Sequence, residues 1–100
     1  MGTLAALLEL GKTVLEIEVD PTIAPRGTIH LGDADAVDFV ATAPCTLEFE
    51  GDLIFGVDSL VLEKGSNGPF DVVVEKGGKE KRDKCKVKHT AAPPQEIIVP

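Results

Sequence analysis

The chain is short of the residues that make stacking or reactive surfaces. Tryptophan and tyrosine are absent, phenylalanine occurs four times, methionine is present once, and cysteine occurs only twice in 100 residues. So few aromatics exclude the stacking platforms that single-stranded nucleic acid requires. Two cysteines are too few for a disulfide-built scaffold. No apolar run approaches the roughly 18 residues of a membrane span, so no membrane partner is expected. Basic side chains are scarce as well: ten against seventeen acidic ones give a net charge of −7. Such a chain repels polyanions, and no nucleic-acid partner is expected.

What is present describes one folded body. Apolar residues make up 43% of the sequence, too many for a disordered acidic tail. The length suits one domain spanning residues 1–100. The first residues, Met1 to Leu10, carry no basic region and no small-residue cleavage site, so a secretory leader is not expected. The cytoplasm is the expected compartment; a periplasmic or secreted location would require a leader already removed. Leu4, Leu7 and Leu8 share a helical face and suggest a short helical turn, with a leading apolar strand as the alternative.

From residue 13 onward the apolar pattern has period two, which is the signature of strands with one buried face. Thr13, Leu15, Ile17 and Val19 alternate with Val14, Glu16 and Glu18. Val37, Phe39 and Ala41 alternate with Asp38 and Val40, and Leu47 and Phe49 with Glu48 and Glu50. Further strands are expected at Thr28–Leu31, Leu53–Phe55, Ser59–Glu63, Phe70–Glu75, Arg82–His89 and Gln95–Val99. Gly65-Ser66-Asn67-Gly68-Pro69 is the longest turn signal. Gly77-Gly78 suits a tight hairpin in which Arg82–His89 pairs back on Phe70–Glu75. About eight short strands spaced 8–12 residues apart predict an all-β fold, an antiparallel Greek-key sandwich, cupredoxin-like or Ig-like.

Charge is unevenly placed. Residues 1–75 hold three basic and fourteen acidic side chains, whereas residues 76–89 hold seven basic and two acidic. Within the basic stretch Lys84, Lys86 and Lys88 point one way while Cys85, Val87 and His89 point the other. The lysines are therefore solvated, and Cys85 and His89 are expected to face the core or one end of it. Lys79, Lys81, Arg82, Lys84, Lys86 and Lys88 form a candidate interaction patch. Its simplest role is protective, because lysines on a strand discourage edge-to-edge pairing. It can also dock an acidic protein, including a second copy of this chain.

Other chemistry finds little support. Asp33, Asp35 and Asp38, and Glu48, Glu50 and Asp52, are oxygen-rich clusters, but neither has the ligand spacing of a calcium loop. Ser59 and Ser66 sit in no nucleophile elbow. Cys85 and His89 are four residues apart on one strand, about 13 Å along an extended backbone, too far for a catalytic dyad unless the strand ends early and the chain turns. No nucleotide loop is present, and the protein reads as non-enzymatic. Cys45 and Cys85 are expected as buried, reduced thiols, with a disulfide or a metal site as alternatives.

The run Lys84-Cys85-Lys86-Val87-Lys88-His89, followed by Gln95-Glu96-Ile97-Ile98-Val99, resembles the end of the cupredoxin fold, and Asp35 to Phe49 resembles its middle. The resemblance implies a type 1 copper site in which Cys85 matches the thiolate and His89 the late histidine. Cys45 stands where the early histidine belongs, and no methionine follows His89, since the only one is Met1. Blue copper needs at least two histidines and a cysteine, and His30 could serve only by coincidence of folding. The resemblance thus implies a cupredoxin-like sandwich without an intact type 1 site and no resident cofactor. The alternative is copper or zinc held by Cys45, Cys85 and His89 gathered at one end. The favoured reading is a non-enzymatic module acting through surface contacts with an unknown protein partner or with itself.

Overall fold

A computed structural model describes residues 12–23, 27–90 and 93–100. Eight strands follow in order: β1 (Val14–Val19), β2 (Thr28–His30), β3 (Ala36–Ala41), β4 (Cys45–Gly51), β5 (Ser59–Leu62), β6 (Gly65–Asp71), β7 (Lys81–Val87) and β8 (Gln95–Val99). They form a three-stranded sheet, β1-β3-β6, and a five-stranded sheet, β2-β8-β7-β4-β5. Period-two alternation builds both, because each strand turns one face inward. Ile17 and Val19 are buried while Glu16 and Glu18 are exposed, and Leu47 and Phe49 are buried beside exposed Glu50. The inward residues join one core that spans both sheets. Phe39, from the three-stranded sheet, has its ring centroid 6.3 Å from Phe49, 5.4 Å from Phe55 and 5.9 Å from Phe70. All four phenylalanines of the chain therefore meet at its centre.

The all-β, two-sheet architecture is the one the strand spacing predicts. Alternation alone says nothing about strand direction, and two pairings run parallel: β1 with β3, and β2 with β8. Parallel neighbours need a long crossover. Here the chain supplies it by leaving β1, contributing β2 to the opposite sheet, and returning as β3.

Three local expectations give way to tertiary context. Gly65–Pro69 is the first part of β6 rather than a turn, antiparallel to β3 with a bulge opposite Val37 and Phe39. Glycine and proline are tolerated there because β6 is an edge strand. Gly68 has a φ of 120°, and a Cβ on it would come within 3.1 Å of the Val37 carbonyl oxygen. The hairpin across Gly77-Gly78 does not form: β6 lies in the three-stranded sheet, and β7 lies between β4 and β8 in the other. The segment between them passes from one sheet to the other, with the Val72 amide donating to Asp35 and the Val73 amide to Ile54. Leu53–Phe55 is a turn instead of a strand, with Leu53 at a φ of 48° and Ile54 and Phe55 inserted into the core. The expected helical turn at Leu4 to Leu8 lies outside the described residues.

Candidate interaction face

The solvent side of the five-stranded sheet gathers most of the patch residues. β7 alternates as its sequence demands: Asp83, Cys85 and Val87 are buried, while Arg82, Lys84 and Lys86 are exposed. Lys88 continues the row one residue past the strand, its amide donating to the Thr46 carbonyl at 2.8 Å. On the neighbouring strand β4, Glu50 lies opposite Lys84 and Glu48 opposite Lys86. A basic row and an acidic row therefore run side by side, about 4.8 Å apart. They line a groove of about 790 Å³ whose sides carry Ser59 and Val61 of β5 and Pro94. Val61, at 79% exposure, is the most exposed large apolar side chain among the described residues.

The six basic candidates separate into two groups. Arg82 donates from Nε to Glu80 at 3.0 Å and from Nη1 to Glu96 at 2.8 Å. Those partners, Glu80 first, raise its pKa. Lys81 donates to the Lys79 carbonyl at 2.8 Å, which turns it back on its own loop, and Lys79 sits on that loop off the sheet. Lys84, Lys86 and Lys88 engage no carboxylate within 4.0 Å among the described residues. Of the six patch residues, these three stand on the sheet face with no such contact among the described residues.

Beneath the row, Asp83 is completely buried, and sequence alternation places it on the same face as Cys85 without revealing why a carboxylate stands there. The structure supplies the reason. One Asp83 oxygen accepts the Ile54 amide at 3.0 Å, holding the turn that carries Ile54 into the core. Its other oxygen, Oδ1, has no hydrogen-bond partner among the described residues. Burial raises the Asp83 pKa; the Ile54 and Lys84 amides oppose the shift, and nearby Asp52 adds to it. Asp52 clamps the adjoining backbone: its carboxylate accepts the Arg82 amide at 2.8 Å, and its own amide donates to the Arg82 carbonyl at 2.9 Å. The chains approach so closely that a Cβ on Gly51, whose φ is 143°, would lie 2.6 Å from the Arg82 carbonyl oxygen.

The three candidate metal ligands are dispersed. Cys85 is buried, Cys45 is half-buried, and both are free thiols. Cys85 pairs with Phe49, and Cys45 lies four residues further along β4, about 13 Å away along the strand. A disulfide needs Cα atoms within about 7 Å. His89 does not face the core: β7 ends at Val87, and His89 takes a φ of 68° and turns into solvent. No group of three or more His, Cys, Asp or Glu side chains forms a metal-binding cluster among the described residues. Burial pushes the Cys85 thiol up to about 12, with Asp83 and Cys45 adding to the shift, and burial raises Cys45 as well. A thiol that keeps its proton at neutral pH is a poor nucleophile and a poor ligand.

Asp35 and Asp38 of the first acidic cluster are likewise drawn into structural contacts. Asp35 accepts the Thr13 amide at 2.9 Å and lies 3.5 Å from the Lys76 ammonium. The amide first, then Lys76, lowers its pKa. Asp38 accepts the Ser66 hydroxyl on β6, which also engages one of the two serines. No described helix is long and apolar enough to cross a membrane. No protein-family model matches the chain, and no curated protein or solved structure is significantly similar to it.

Proposed function

We propose that the protein is a non-enzymatic β-sandwich module that docks an acidic protein surface on the outer face of its five-stranded sheet. The observation that carries this reading is the row of Lys84, Lys86 and Lys88. Three cations project from one strand and its extension into solvent, free of carboxylate partners among the described residues, beside the exposed Val61. Successive outward side chains of a strand stand about 6.6 Å apart, which suits carboxylates arrayed at similar spacing on a partner strand. Opposite charges across such an interface set orientation and association rate more than affinity. The surrounding chain is acidic, so the row also fixes where an acidic partner can approach.

Fluorescence anisotropy with a labelled oligoglutamate peptide tests the reading, with oligolysine as the control. The reading expects saturable oligoglutamate binding that weakens with salt and is lost in K84A/K86A/K88A, while oligolysine binds elsewhere or not at all. Equal binding of oligoglutamate by the wild type and the triple variant contradicts it.

A further inference from the structure

We infer that one occupant of this face is a second copy of the same chain, docked face to face about a two-fold axis that runs along the strands between β4 and β7. The inference rests on the docking reading above and specifies the partner. The register supplies the argument. Glu48 lies directly across from Lys86, and Glu50 across from Lys84, so opposite charges share the same level along two adjacent strands.

A two-fold axis placed midway between those strands, in the plane between the copies, lays β4 of one copy over β7 of the other. Levels along the strands are preserved. Glu48 of each copy then faces Lys86 of its partner, and Glu50 faces Lys84. Each contact is made twice, as in any isologous interface, and the assembly closes at two subunits. Any rotation that lays β4 over β4 sets glutamate against glutamate and lysine against lysine, so the charge pattern selects this axis. Exchange of the two sides also carries Val61 toward the rim bearing Pro94. Packing of this kind keeps stacked sheets within roughly 30° of alignment.

The size of the face sets the strength. Five strands spaced by about 4.8 Å and seven residues of about 3.3 Å describe a patch roughly 20 by 23 Å, below the roughly 800 Å² per partner of a standard interface. The net charge of −7 on each copy opposes approach. The dimer is therefore weak and reversible, and it forms where salt screens the bodies more than the contacting rows.

Sedimentation velocity of the full chain at physiological salt, up to about millimolar concentration, reads the assembly directly. The wild type shows a concentration-dependent monomer–dimer equilibrium. E48K/E50K sets lysine beside lysine across β4 and β7 and is monomeric; K84E/K86E sets glutamate beside glutamate there and is monomeric. Mixing these two variants restores a dimer, because a basic pair of rows meets an acidic one; the wild-type dimer is the one that requires glutamate over lysine. A wild type monomeric throughout, reversed variants that associate as the wild type does, or a mixture that stays monomeric overturns the inference. Circular dichroism confirms that each variant is folded. If oligoglutamate still binds the lysine row while the wild type stays monomeric, the docking reading stands and only the self-association fails.

Discussion

The Asn67 side-chain amide pairs with the backbone of Glu63 as a neighbouring strand would. Its Oδ1 accepts the Glu63 amide at 2.9 Å, and its Nδ2 donates to the Glu63 carbonyl at 2.7 Å. Nδ2 also donates to the carbonyls of Gly65, at 2.9 Å, and Phe39, at 3.3 Å. Asn67 belongs to β6 of the three-stranded sheet, and Glu63 directly follows β5, the edge of the other. One side chain thus fixes the short connection by which the chain leaves β5 of one sheet and enters β6 of the other.

Asn67→Asp keeps the acceptor for the Glu63 amide and replaces the donor by an oxygen facing three carbonyls. A loss of about 1–3 kcal/mol is expected, the cost of leaving part-buried acceptors unsatisfied. Urea denaturation of the two proteins measures it. Equal midpoints would show that Asn67 does not fix that connection.

Asp83 and Ile54 define a second expectation. Asp83→Ala leaves the completely buried Ile54 amide without its acceptor and is expected to cost about 1–3 kcal/mol. Asp83→Asn keeps an acceptor and removes the charge. The folded pKa of Asp83 lies above its unfolded value of 3.8, so the native state holds the proton more tightly. Ionised Asp83 therefore disfavours folding above the raised pKa, and that penalty fades as pH falls through it toward 3.8. Asp83→Asn should match or exceed the wild type at pH 7, with the difference narrowing in acid. A wild type that gains on the Asn variant as pH rises contradicts the assignment.

The sheet sandwich was legible in the chain because Ile17, Phe49 and Val87 alternate cleanly with charged neighbours. The outward direction of Lys84, Lys86 and Lys88 was legible for the same reason. The neighbours of that row were not, since only strand order and register bring Glu48 beside Lys86. Gly65–Pro69 misleads as a turn because an edge strand lacks the second ladder that excludes proline. His89 misleads because the sequence alternates past Val87, whereas the strand ends there and His89 takes a positive φ.

Cys85 gives an alkaline signature. The unfolded thiol ionises from about 9.0, while the folded one keeps its proton up to about 12. Within that window the unfolded state is the one that loses a proton, so stability falls as pH rises, by about 1.4 kcal/mol per pH unit at full slope. Cys85→Ala should flatten the part of the decline that Cys85 contributes, and no tyrosine is present to titrate in the same range. In the native protein Ellman's reagent should reach Cys45 slowly and leave Cys85 unmodified; rapid labelling of Cys85 would refute its burial.

Phe39 anchors the aromatic centre and is completely buried. Phe39→Ala removes its contacts with Phe49, Phe55 and Phe70, and a loss of about 3–5 kcal/mol is expected. Thermal and chemical denaturation check it; a loss below about 1 kcal/mol would mean that the two sheets do not share this core.

The most direct measurement of the central claim is a nitrogen-15 amide correlation spectrum of the protein titrated with oligoglutamate. The account predicts shifts confined to the β4–β7 face, centred on Lys84, Lys86, Lys88 and their neighbours Glu48 and Glu50. Shifts centred on the three-stranded sheet, or none at saturating peptide, would contradict it.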